Sequence, residues 1–163
     1  MNNNTRGLVR SAIIAALYTV LTMISAAFGL SSGAVQIRIS EALCILPCFS
    51  RYAAAGLAAG CFLSNMLTGG DPLDMVFGSL ATFIAALLTR RFRDRKVLAI
   101  APPILVNTAV IPFILSRVYG AEAAYPVLAA SVFAGELISC GLLGGLLHKK
   151  ISADERLKEM ISD

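Results

Sequence analysis

Long stretches without charge constrain this chain more than any other feature. No Asp, Glu, Lys, Arg or His lies between Arg10 and Arg38, between Arg51 and Asp71, between Asp74 and Arg90, or between Lys96 and Arg117, and residues 123–147 carry only Glu136. An α-helix rises about 1.5 Å per residue, so roughly 20 apolar residues cross the hydrocarbon core of a bilayer. Composition points the same way: 57% of the 163 residues are hydrophobic, 15% are charged, and the mean hydropathy is +0.76. A soluble domain of this size needs far more polar surface to cover its core. Lipid removes that need.

The pattern predicts an all-α integral membrane protein with one domain over residues 1–163. Six spans are expected, near residues 8–28, 40–50, 52–67, 73–89, 97–116 and 124–147, followed by a tail from His148 to Asp163. The first span is too long for the apolar part of a secretory signal and no clear cleavage site follows it, so it reads as a span. Within the tail, Leu157, Met160 and Ile161 recur among charges at helical spacing and predict a short surface helix.

The net charge of +4 invites a nucleic-acid reading, which the distribution of bases opposes. Of fourteen Lys and Arg, twelve fall on one side of the six-span topology: Arg6, Arg10, Arg51, Arg90, Arg91, Arg93, Arg95, Lys96, Lys149, Lys150, Arg156 and Lys158. Only Arg38 and Arg117 fall on the other. This is the positive-inside asymmetry, and it puts both termini in the cytoplasm of a multi-pass cell-membrane protein. The bases report orientation and require no nucleic acid.

An enzyme reading finds no support. There is no His/Glu pair at metal spacing, no nucleophile elbow and no phosphate loop, so no catalytic residue and no cofactor are expected. Cys44, Cys48, Cys61 and Cys140 all lie in predicted spans and read as small packing residues, without a metal.

Polar residues inside the spans say more, because a charge at membrane depth is costly and usually faces a cavity or a partner. Glu136 lies roughly 18 Å along the last span, near the midplane. Asn107 sits midway along its span, Asn65 near the outer end of the third, and Glu41 opens the second. Asp71 and Asp74 flank Pro72; Asp71 reads as a helix cap and Asp74 as a site residue. In Val35-Gln36-Ile37-Arg38-Ile39-Ser40 apolar and polar residues alternate strictly, which fits either an interfacial connector or a lid with Gln36 and Arg38 facing a ligand. Arg38 and Glu41 are also candidates to pair with each other. Gln36, Arg38, Glu41, Asn65, Asp74, Asn107 and Glu136 therefore outline a polar pocket open to the outside. Carboxylates accept N–H bonds and amides both donate and accept, so a polar, hydrogen-bonding solute, neutral or cationic, is expected, with a planar heterocycle bearing an amidine-like edge as one good fit. Small residues at four-residue spacing, Ala12/Ala16, Ala55/Ala59, Gly56/Gly60 and Gly141/Gly145, predict close helix packing.

The segment Gln36-x-Arg38-Ile39-Ser40-Glu41-Ala42-Leu43, Asn65, the segment Asp74-x-x-Phe77-Gly78-Ser79-Leu80-Ala81-Thr82, Asn107 and Gly135-Glu136-Leu137 together resemble the QueT family. These are substrate-binding (S) components of energy-coupling factor transporters associated with queuosine precursors. The resemblance implies a six-helix S component that binds a 7-deazaguanine such as 7-aminomethyl-7-deazaguanine, or a related precursor. It also implies docking on a membrane scaffold subunit through an alanine-rich face of the first helix, here Ala12, Ala15 and Ala16. Two cytoplasmic ATPases would then drive release of the solute inside.

Overall fold

A computed structural model describes residues 3–30 and 35–162 of the chain. Every regular element among them is helical. In order they are α1 (Asn3–Ala27), a 3₁₀ helix (Ile39–Cys48), α2 (Ala53–Leu67), α3 (Pro72–Arg91), α4 (Lys96–Arg117), α5 (Tyr125–Glu136), a π-helical stretch (Leu137–Gly144), α6 (Gly145–Ala153) and α7 (Glu155–Ile161). The stretch Tyr125–Ala153 is one continuous rod of 29 residues. Among the described residues, four helices are long and apolar enough to cross a membrane: Thr5–Ala27, Pro72–Arg91, Lys96–Arg117 and that rod. The other two predicted spans exist as shorter apolar helices of 10 and 15 residues.

Many large apolar side chains lie on the outer surface. Ile13, Leu17 and Val20 on α1, and Phe77, Leu80 and Ile84 on α3, point outward and stay exposed, while Tyr18, Leu57, Cys61 and Ile104 form the core. Helices hydrophobic all round suit lipid.

Glycine sets the closest helix contact. A Cβ at Gly56 would lie 2.6 Å from the Ser11 carbonyl, and one at Gly60 would lie 2.8 Å from that of Ala15, so both glycines let α2 press on the α1 backbone. Ala55 and Ala59, one position earlier on α2, face outward. Near the second glycine pair the close contact belongs to Gly144, which abuts the Ala42 carbonyl, while Gly141 has open space around it.

The 3₁₀ helix runs through the middle of the bundle, buried from Ser40 to Pro47. Its rise of about 2.0 Å per residue carries ten residues roughly 20 Å, a third farther than an α-helix would. Such irregular backbone is tolerated at membrane depth when protein surrounds it. α4 keeps its course through Pro102, Pro103 and Pro112. Pro103 has no N–H for the Ala99 carbonyl, and Thr89 Oγ1 of α3 supplies the missing donor at 2.9 Å. Asp71 caps α3 through its side chain, accepting from Leu73 N–H at 2.8 Å, as the sequence predicts. The tail helix α7 also forms where expected and is capped by Asp154.

Candidate functional site

The polar face of α1 builds the foundation. Tyr18, Thr22 and Ser25 recur at three- and four-residue spacing, so they share one buried face. Tyr18 O–H donates to the Glu41 carboxylate and Thr22 Oγ1 donates to Ser40 Oγ at 2.7 Å. Ser25 Oγ accepts from Ile39 N–H at 2.9 Å. Glu41 is thereby fixed at the start of the 3₁₀ helix.

Above it, residues 35–38 form a strap that pairs with no strand among the described residues. Ile37 N–H donates to the Leu30 carbonyl at 2.9 Å. The strap also lies hard against α5: a Cβ at Gly135 would sit only 1.8 Å from the Gln36 carbonyl oxygen. Gly135 is therefore the seat on which the strap rests.

Beneath the strap is an inner cavity lined by Gln36, Arg38, Glu41, Asn107, Glu136 and Thr82, among others. Asn107 Nδ2 donates to Glu136 Oε1 at 2.8 Å, and Cys140 Sγ donates to Glu136 Oε2 at 3.1 Å. Cys44 Sγ donates to Glu41 Oε2 at 3.0 Å. Glu41 is 2% exposed, Asn107 4% and Glu136 7%, so the two carboxylates depend on these donors rather than on bulk water. Arg38 lies in the field of Glu41 and Asp74, yet among the described residues its guanidinium makes no hydrogen bond or ion pair to either. The partners of Glu41 are thus Tyr18 and Cys44 rather than Arg38, which was the candidate pairing.

A second, outer chamber of about 540 Å³ lies on the other side of the strap, lined by Gln36, Arg38, Asn65, Asp74 and Tyr119. Asp74 Oδ2 accepts from Tyr119 O–H at 2.9 Å, and that hydroxyl in turn accepts from Asp71 N–H at 3.0 Å. Asn65 Nδ2 donates to the Asp74 carbonyl at 3.4 Å. Burial raises the Tyr119 phenol above its ordinary value, with the Asp74 carboxylate adding to the effect. It stays a donor at neutral pH.

All seven expected site residues therefore line one of two adjoining chambers, with Gln36 and Arg38 shared between them. The inner one encloses only about 10 Å³, the room of a single water. The docking face divides differently. Ala12 and Ala16 are exposed on α1, whereas Ala15 is buried against Gly60 and leaves that face.

Tyr18, Tyr119 and Cys140 carry roles the sequence reading missed, since Tyr and Cys in apolar helices look like packing residues. Glu41, Cys44 and Cys140 bring potential metal-ligand atoms within 4.8 Å of one another. Each thiol already donates to a carboxylate, which accounts for the cluster as a hydrogen-bonded network. The π-helical stretch starts directly after Glu136, a placement typical of functional sites.

The sequence profile described as QueT transporter matches residues 8–153. The chain belongs to the QueT transporter family. A family relative from Lactococcus lactis subsp. cremoris (strain MG1363), described as "Queuosine precursor transporter QueT", is 33% identical over 96 residues, covering 56% of this chain and 56% of the relative. The aligned stretch thus spans just over half of that relative's length. No solved structure matches the chain. Membership makes this a transporter-family, multi-pass membrane protein, in keeping with its four long apolar helices.

Proposed function

We propose that this QueT-family chain is the S component of an energy-coupling factor transporter and binds a cationic queuosine precursor, with 7-aminomethyl-7-deazaguanine as the best fit. The observation that carries this reading is the charge inventory of the inner cavity: two buried carboxylates, Glu41 and Glu136, face one guanidinium, Arg38. With both carboxylates ionised the net charge is −1, and a monocation brings the cavity to neutrality in a region where an uncompensated charge is expensive. A guanine-like N–H edge pairs with one carboxylate, the aminomethyl cation with the other, and the donors of Arg38 meet the ring carbonyl.

A bicyclic solute is far larger than the closed inner cavity. In this proposal it is first collected in the outer chamber, and the strap at Gln36 and Arg38 then moves to admit it. The chain crosses the membrane six times with both termini in the cytoplasm, the 3₁₀ helix and α2 serving as the second and third crossings. The charge asymmetry of the loops and the extra reach of the 3₁₀ helix support this topology. Ala12 and Ala16 dock on a transmembrane scaffold subunit, and two cytoplasmic ATPases power release.

Uptake of the precursor by cells expressing the chain, with and without an intact ATPase pair, tests the assignment. Uptake that vanishes when both ATPases lose their catalytic carboxylate supports an S component. Undiminished uptake would instead identify a stand-alone, ion-coupled carrier.

A further inference from the structure

Glu41 and Glu136 face one cavity from two elements, the 3₁₀ helix and the rod. Cys140 links them: its thiol lies 3.1 Å from Glu136 Oε2 and 3.3 Å from the backbone carbonyl of Glu41. All four carboxylate oxygens already have a donor aimed at them, Tyr18 O–H and Cys44 S–H on Glu41, Asn107 N–H and Cys140 S–H on Glu136. These phenol and thiol groups, and Cys61 of α2 beside them, are ordinarily uncharged at neutral pH. α4 presents the uncharged Asn107. Among the described residues, Arg38 on the strap is the one cation lining the cavity, and Asp74 of α3 acts on it from the outer chamber. Before a solute arrives, two carboxylates thus stand against one guanidinium in a space of about 10 Å³, the room of a single water.

We infer that the solute-free cavity holds one proton on the Glu41–Glu136 pair and that a cationic solute displaces it, so that binding exchanges a cation for a proton. The exchange presupposes the cationic solute proposed above and names what balances the cavity in its absence. Like charge and the loss of water both favour the neutral form of one carboxyl group in such a pair. A metal ion suits the space poorly. Hard cations gather roughly six oxygen ligands, whereas here every carboxylate oxygen meets a donor and one water fills the cavity. A proton needs one oxygen and no extra room. With the proton bound the cavity is neutral, and with the solute bound and both carboxylates ionised it is neutral again. The free chain therefore carries one proton more than the complex, so raising the pH favours the complex.

Isothermal titration of the purified chain with 7-aminomethyl-7-deazaguanine, in two buffers of different ionisation enthalpy near pH 6, counts the protons released. About one per solute is expected, with affinity rising roughly ten-fold from about pH 5.5 to 6.5, a range in which an alkylammonium stays charged. The 7-methyl analogue keeps the ring but lacks the amine, and should bind without releasing a proton. His148, the single histidine, titrates in the same range but does not line the cavity, so His148→Gln should release as many protons as the wild type. Heat independent of the buffer would overturn the exchange while leaving solute binding in place. Equal release with the amine and the methyl compound would overturn it too, because the cation would not be what drives the proton out. Loss of release in His148→Gln would move the proton to that histidine. Weaker binding in sodium than in choline salts, without proton release, would make a metal cation the resident instead. Failure to bind the amine at all would remove the solute proposal and the exchange with it.

Discussion

The amide of Asn107 donates to Oε1 of Glu136 at 2.8 Å and joins α4 to α5 across the inner cavity. With Cys140 on the other oxygen, the carboxylate is held from two sides and faces the cavity in one orientation. Replacing Asn107 by Leu removes a donor to a buried charge, a loss of about 1.5–3 kcal/mol, or roughly 10- to 150-fold in precursor affinity if the carboxylate turns away. Calorimetry on Asn107→Leu measures it, and Asn107→Gln should recover part of the affinity.

Tyr18→Phe removes the hydroxyl that fixes Glu41 without changing the volume of the α1 core. The variant should unfold at lower temperature, by the equivalent of about 1.5–3 kcal/mol, and bind the precursor more weakly. Thermal unfolding with and without precursor separates the two effects.

Gly135→Ala drives a methyl group into the Gln36 carbonyl, so the strap must lift off α5. Precursor binding should be lost or greatly weakened. Gly141→Ala, one helical segment farther along, meets nothing closer than 4.0 Å and should bind as the wild type does. Titration of the pair distinguishes strap displacement from a general intolerance of alanine in the rod.

On α1, Ala12→Trp or Ala16→Trp enlarges an exposed face and should spare precursor binding while abolishing uptake. Ala15→Trp strikes the buried contact with Gly60 and should instead destabilise the fold. Normal uptake by both exposed variants would remove α1 from the docking assignment.

The gross architecture was legible because charge is so costly in lipid: the uncharged stretches from Arg10 to Arg38, Arg51 to Asp71, Asp74 to Arg90 and Lys96 to Arg117 leave little choice about where the long apolar helices lie. The Asp71 cap and the α7 helix were legible too, since local side-chain chemistry fixes both. The 3₁₀ and π geometry of Ile39–Cys48 and Leu137–Gly144 was not, because neighbouring helices rather than local propensity determine the hydrogen-bond register there. The polar residues that line the two chambers could be picked out as costly exceptions in apolar surroundings. Their division into two chambers could not, because it depends on where the Gln36–Arg38 strap rests against Gly135. Ala15 illustrates the remaining gap: small residues mark close packing, but only the rotation of α1 decides which of three neighbouring alanines faces α2.

In the proposed function Glu136, held by Asn107 and Cys140, is one of two carboxylates that receive a cationic deazaguanine. Isothermal titration of the purified chain with 7-aminomethyl-7-deazaguanine, wild type against Glu136→Gln, addresses it most directly. The wild type should bind saturably and one-to-one, and the variant should lose at least ten-fold in affinity, the size expected for a charged hydrogen bond. Equal affinities would contradict it.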